Sequence, residues 1–225
     1  IALDLPGQGY SRASAPGRYG LDPLASDITA LSAREGWHPV AVIGHSAGAA
    51  LALRLAETGL GEAVIGINAA LGKFEGAAGW AFPLAANLLA LNPFTALAFS
   101  TASSSPLAVR QILRSTGSRI DAETLKQYQN LVANPRHVDG TLRMMAAWNL
   151  APLIARLPRN PARTTLLAGQ RDRTVPPRVA HEAAARMPNA RVIELPNLGH
   201  LAHEEAPEEV AAQILAVLAE EAVSR

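Results

Sequence analysis

A chain of 225 residues that is 49% apolar and 17% charged can bury one globular core, with room for an inserted subdomain, and is too apolar to stay disordered. Twenty Lys and Arg against nineteen Asp and Glu leave a net charge of +1. The lysines are Lys73 and Lys126 alone, and the arginines are scattered without a basic run. That pattern argues against nucleic acid as a partner, since such binding rests on phosphate neutralisation. Cysteine is absent, which excludes disulfides, thiolate zinc sites and a Cys nucleophile.

Ile1–Leu5 reads as a buried strand stopped by Pro6-Gly7. It opens without Met and inside an apolar run, as expected of a chain with further residues upstream. Asp22 is the expected N-cap of a helix with Pro23 at its first position, kept in register by Leu24, Ile28 and Leu31 as far as Gly36. Val40–Gly44 is a second strand, continuously apolar as strands covered on both faces are. A small-residue helix follows from Ala47 to Thr58, then strands at Ala63–Ile67, Thr165–Ala168 and Arg191–Leu195. A last helix enters at Pro207 with Val210, Ile214, Val217 and Leu218 on one stripe. Strands alternating with helices predict an α/β fold, a mostly parallel sheet with helices on both faces.

Residues 69–160 break the rhythm, with no strand pattern and no charge between Glu75 and Arg110. Pro83, Asn87, Asn92, Pro93 and the Thr101–Ser105 cluster argue against a membrane span, which needs about 20 unbroken apolar residues. The expected organisation is therefore core (1–68), helical lid insertion (69–160) and core again (161–225).

The segment Gly44-His45-Ser46-Ala47-Gly48 is a G-x-S-x-G pattern between a strand and a helix. A sharp strand-to-helix turn would expose the Ser46 hydroxyl at the carboxyl edge of the sheet, and small residues are expected at both Gly44 and Gly48. The backbone N–H of Ala47, opening the helix, can point at a developing oxyanion. A serine needs a base and the base an orienting group. Asp172 and His200 each fall in a loop leaving a later strand, so all three side chains converge on one sheet edge in the order Ser, Asp, His. Taken singly, each has a plainer reading: an idle serine in a Gly-rich turn, a capping Asp, a surface His. His203 rivals His200; His38, His137 and His181 are expected to be solvated. His45 either contacts substrate or packs. This chemistry requires no metal or organic cofactor.

On these residues the chain resembles the α/β-hydrolase superfamily over nearly its whole length. The motifs are Asp4-Leu5-Pro6-Gly7-Gln8-Gly9-Tyr10-Ser11, the Gly44–Gly48 elbow, the Asp172 loop through Val175-Pro176, and Gly199-His200. Within it, Ile67–Leu71, Leu91-Asn92-Pro93, Ser115–Ser118 and Met144–Trp148 are similar to the magnesium-chelatase accessory hydrolases of bacteriochlorophyll biosynthesis. The resemblance implies a phototrophic bacterium, a cytoplasmic tetrapyrrole-linked role and contact with a magnesium chelatase. It also implies three further strands and a His-Gly loop upstream, the source of a second oxyanion donor, and hence a truncated piece expected to be poorly soluble and nearly inactive alone. A Ser at the elbow implies acyl chemistry rather than dehalogenation or epoxide opening. The charge-free stretch with Trp80, Phe82, Phe94 and Phe99 points to a bulky lipophilic substrate, a porphyrin ester or a molecule at a membrane surface, unless those rings only pack the lid. Three readings stay open: serine-dependent hydrolysis of an ester or similar acyl bond, transacylation or cofactor-free perhydrolysis by the same residues, and a non-catalytic tetrapyrrole-binding or chelatase accessory role.

Overall fold

The computed structural model describes residues 1–12, 15, 17–72, 100 and 105–223. By backbone contacts the chain divides into two compact units: Ile1–Leu24, Lys73–Ile112 and Asp121–Asn149 form the first, Ala25–Gly72, Leu113–Ile120 and Leu150–Arg225 the second.

The second unit holds four parallel strands in sequential order, β1 (Ala41–His45), β2 (Ala63–Ile67), β3 (Arg163–Gly169) and β4 (Ala190–Leu195). The register sets Gly44 beside Gly66 and Gly66 beside Leu166. Parallel neighbours require crossovers. In chain order the helices are α1 (Leu21–Glu35), α2 (Ala47–Glu57), α3 (Pro106–Ser115), α4 (Ala122–Val132), α5 (Pro135–Ala147), α6 (Ala151–Arg156), α7 (Pro177–Ala184), α8 (Ala202–Glu205) and α9 (Pro207–Val223). Thus α2 links β1 to β2, and α7 links β3 to β4.

Burial follows strand position. Every residue of β2 is buried, as is β3 beyond Arg163, whereas β1 and β4 are only partly covered. Against one face, α2 buries Ala49, Ala50, Leu51, Ala52, Leu53, Leu55 and Ala56; its alanines let the helix come close to the sheet at Gly66. Elsewhere Ile65, Ile67, Leu167, Leu195, Leu198, Ala202, Val210 and Val217 form one apolar cluster, in which each large side chain removed from water contributes about 1.5–3 kcal/mol. The stripe read from α9 is therefore the stripe that packs. The α/β class with a parallel sheet, expected from the alternation, is the observed one.

Two expectations about secondary structure are corrected. Ile1–Leu5 joins no ladder among the described residues; Ile1 and Leu3 are exposed, and Leu5 C=O accepts from Gln8 N–H in a turn. The apolar run supplies strand propensity, but a strand exists only with a partner. Asp22 is not the cap of α1 but lies in its first turn, where a carboxylate still complements the helix N-terminus.

In the first unit the Asp4–Ser11 loop folds on itself and onto α5. Tyr10 N–H and the Ser11 hydroxyl donate to Asp4, Gly9 N–H donates to His137 Nδ1 at 3.0 Å, and Thr141 donates to Gln8 Oε1 at 3.0 Å. His137 is thus half-buried rather than solvated, and burial lowers its pKa. Residues 105–160 carry helices and no strand, and among the described residues no helix is long and apolar enough to cross a membrane. Trp80, Phe82, Phe94 and Phe99, with the Leu91-Asn92-Pro93 match, lie outside the described residues.

Candidate active site

Between the end of β1 and the start of α2 a single residue turns the chain, and that residue is Ser46. Its φ is 53° and ψ −116°, a backbone region that costs a non-glycine residue about 1–3 kcal/mol and persists only where its surroundings impose it. They do: Ser46 N–H donates to Ile67 C=O at 2.9 Å, and Ser46 C=O accepts from Ala49 N–H and Ala70 N–H, both at 3.1 Å. Gly44 is needed because a Cβ there would overlap the Gly48 carbonyl and lie 2.6 Å from Ala49 N. Gly48 is a different case from the one expected. A Cβ on it would meet nothing within 4 Å beyond its own helix among the described residues. The crowding is one-sided, with Gly48 supplying the backbone that Gly44 must avoid. Ala47, as the first residue of α2, has an amide without an intrahelical acceptor.

The loops after β3 and β4 bring the other two residues to Ser46. His200 Nε2 lies 3.1 Å from Ser46 Oγ, and His200 Nδ1 lies 2.7 Å from Asp172 Oδ2. Asp172 and His200 are both buried. The second carboxylate oxygen of Asp172 accepts from Thr174 N–H at 2.7 Å and Val175 N–H at 2.8 Å, so Oδ2 is the oxygen turned to the imidazole. Hydroxyl, imidazole and carboxylate thus form one hydrogen-bonded chain. Such a chain can carry a proton from the hydroxyl to the ring while the carboxylate stabilises the imidazolium.

The loops are locked by backbone contact and by groups that the sequence pattern did not single out. A Cβ on Gly169 would lie 2.6 Å from Gly199 O, and one on Gly199 2.6 Å from Gly117 O and Ser118 N, so these three loops touch main chain to main chain. Ser118 Oγ accepts from Leu201 N–H at 2.8 Å, and Glu205 accepts from Gly199 N–H at 2.8 Å and Arg119 N–H at 2.9 Å. Asn68, buried and at φ 46°, is the central tie. Its amide nitrogen donates to Gly199 C=O at 2.9 Å and His200 C=O at 2.7 Å, and its oxygen accepts from Gly169 N–H at 2.7 Å. The available signal was a lone amide side chain directly after the apolar run Ala63–Ile67.

His45 faces the same loop. Its Nε2 is 2.8 Å from His200 C=O; a carbonyl only accepts, so Nε2 carries the hydrogen. The ring is tilted against His200, with centroids 4.7 Å apart, and against His203 at 4.5 Å. Burial first, then the neighbouring His203 and His200 rings, lowers the His45 pKa to about 3, so the ring is neutral. Burial also lowers the pKa of His203. Among the described residues no group of three His, Cys, Asp or Glu side chains could hold a metal ion.

Comparison with known proteins agrees with this fold. The profile of the alpha/beta hydrolase family matches residues 1–213. The chain is 46% identical over 215 residues to the magnesium-chelatase 30 kDa subunit of Rhodobacter capsulatus, an alignment spanning 96% of this chain and 75% of that protein. Among solved structures, MenH from S. aureus superposes with a TM-score of 0.76 at 23% identity, covering 97% of this chain and 82% of that one. An esterase from Exiguobacterium antarcticum gives 0.74 at 17% identity, covering 96% and 80%. At those identities the structural likeness is one of fold alone. With a parallel sheet, a serine on the turn after β1 and a profile match along nearly its full length, the chain belongs to the alpha/beta hydrolase family.

Proposed function

We propose that the chain is a serine hydrolase acting on an ester or related acyl bond of a lipophilic substrate, with Ser46 as nucleophile, His200 as general base and then acid, and Asp172 as the group that orients the imidazole. The observation that carries this reading is the unbroken chain from Ser46 Oγ through His200 to Asp172, at 3.1 and 2.7 Å. Ser46 Oγ adds to the substrate carbonyl as its proton passes to His200 Nε2. The oxyanion so formed takes the Ala47 N–H at the start of α2, a type of contact whose removal costs about 10²–10³ in turnover. Collapse expels the alcohol, protonated by His200, and leaves an acyl-serine. Water, deprotonated by the same ring, then releases the acid and restores the hydroxyl.

The lipophilic substrate is argued from the charge-free stretch between Glu75 and Arg110, with Trp80 and Phe82 as its proposed contacts. In this account 69–160 serves as the lid, since every strand among the described residues falls in 1–68 or 161–225. The 46% identity to a magnesium-chelatase subunit favours a cytoplasmic role in magnesium-porphyrin or bacteriochlorophyll synthesis and contact with that chelatase. The same identity supports the second reading, an accessory protein that binds a tetrapyrrole and keeps Ser46, Asp172 and His200 without using them. Turnover of p-nitrophenyl acyl esters by the full-length protein separates the two. Hydrolysis that falls at least about 10³-fold in Ser46→Ala supports catalysis. Turnover equal in Ser46→Ala and the parent protein overturns it.

A further inference from the structure

We infer that His45 is a positioning residue: by donating to the backbone carbonyl of residue 200, together with Asn68, it fixes where the imidazole meets Ser46 Oγ. This rests on the reading of His200 as the base.

Three observations carry it. First, the His200 carbonyl oxygen receives two side-chain donors, His45 Nε2 at 2.8 Å and Asn68 Nδ2 at 2.7 Å, so both of its lone pairs are engaged. The two donors come from the last residue of β1 and from the residue directly after β2. Second, His45 is the residue directly before Ser46, so the bond joins the strand bearing the hydroxyl to the loop bearing the ring. The hydroxyl–imidazole distance is then set from both sides, by the side-chain contact and by this main-chain tie. Third, the His45 ring lies against the rings of both His200 and His203, and its burial keeps it neutral. A protonated ring would still donate, but charge beside two imidazoles would repel a developing imidazolium on His200. Neutrality lets His45 hold the base without opposing its charging.

With Nε2 committed to a backbone carbonyl, His45 has a different job from touching substrate, and the two roles predict different kinetics. Deleting a group that binds substrate weakens binding, whereas deleting one that positions the base slows the chemical step. A misplacement of about 1 Å at a reacting group costs on the order of 10² in rate. The test uses the full-length protein and an alkyl fluorophosphonate, measuring the inactivation rate at saturation (kinact) and the half-saturating concentration (KI). His45→Leu removes the donor and is expected to lower kinact about 10–10²-fold with KI unchanged. His45→Gln places an amide nitrogen as many bonds from Cβ as the ring Nε2, and is expected to restore kinact. His45→Asn, one bond short, is expected to behave as His45→Leu. A rise in KI with kinact unchanged, or a His45→Gln no better than His45→Leu, overturns the inference. The low-field proton NMR signal of the hydrogen between His200 Nδ1 and Asp172 gives a readout that needs no reaction. It is expected to shift or broaden in His45→Leu and to return in His45→Gln; an unaltered signal in His45→Leu overturns the inference. If the parent protein takes no label, the nucleophile reading fails on its own, while the NMR comparison still decides the role of His45.

Discussion

Alanine at Gly44 and alanine at Gly48 are the same chemical change at the two glycines of one short motif, and the structure separates them. At Gly44 the added Cβ would overlap the carbonyl of Gly48 and lie 2.6 Å from Ala49 N, well inside the contact distance of about 3.5 Å. All of those atoms are backbone in the first turn of α2, so no side chain can rotate away and the elbow itself must open. Overpacking of this kind costs about 1–3 kcal/mol where side chains can yield, so Gly44→Ala should reach or pass the upper end. At Gly48 the Cβ would meet nothing within 4 Å beyond its own helix among the described residues. There the helical preference of Ala over Gly, up to about 1 kcal/mol, is opposed by no described neighbour. Urea and thermal unfolding of the full-length variants read both. With about 2–4 °C of Tm per kcal/mol in a chain of this size, Gly44→Ala should fall by ~6–12 °C or fail to fold, and Gly48→Ala should hold or gain a few degrees. Equal destabilisation by both substitutions would refute the one-sided crowding.

Acid should weaken the fold through its buried imidazoles. An unfolded His45 takes its proton near the ordinary imidazole value of 6.5, the folded one only at about 3; between those values the unfolded state binds more protons, so stability falls as pH drops from 6.5 towards 3. At about 1.4 kcal/mol per pKa unit, His45 alone accounts for a loss of up to about 5 kcal/mol, with His137 and His203 acting in the same direction. The urea midpoint should drop between pH 7 and pH 4.5, and drop less in His45→Gln; identical pH dependence in both would contradict this. Asp172→Asn can keep an oxygen for Thr174 and Val175 N–H but turns an amide donor towards His200 Nδ1, which forces the ring hydrogen onto Nε2, facing Ser46. Ester turnover should fall on the order of 10⁴-fold with Tm little changed; retained turnover would show that this carboxylate does not orient the ring.

The strands around the site were legible because central parallel strands are covered on both faces, so Ala63–Ile67 and Thr165–Ala168 announce themselves as unbroken apolar runs. Ser46 was legible because it stands just past the apolar run Val40–Gly44, and Asp172 and His200 because each falls in a loop leaving a later strand. Ile1–Leu5 misled for the same reason, since apolar β-propensity is local and ladder formation is not. The one-sided role of Gly48, the ties made by Asn68 and Glu205, and the direction of the His45 ring were not legible. Those depend on where loops distant in sequence touch, and no periodicity within a loop encodes the carbonyl it will meet. The Ser115–Ser118 segment, notable in the sequence only as a resemblance, lies main chain to main chain against the loops of Asp172 and His200.

On the proposed reading, the Ser46 hydroxyl reacts because His200 draws off its proton. That reading is tested most directly by treating the full-length protein with an alkyl fluorophosphonate and mapping the adduct by peptide mass spectrometry. A single phosphonyl adduct on Ser46 is expected, formed with one-to-one stoichiometry and abolished by His200→Ala. No adduct on Ser46, or one that forms as fast without the imidazole, would contradict it.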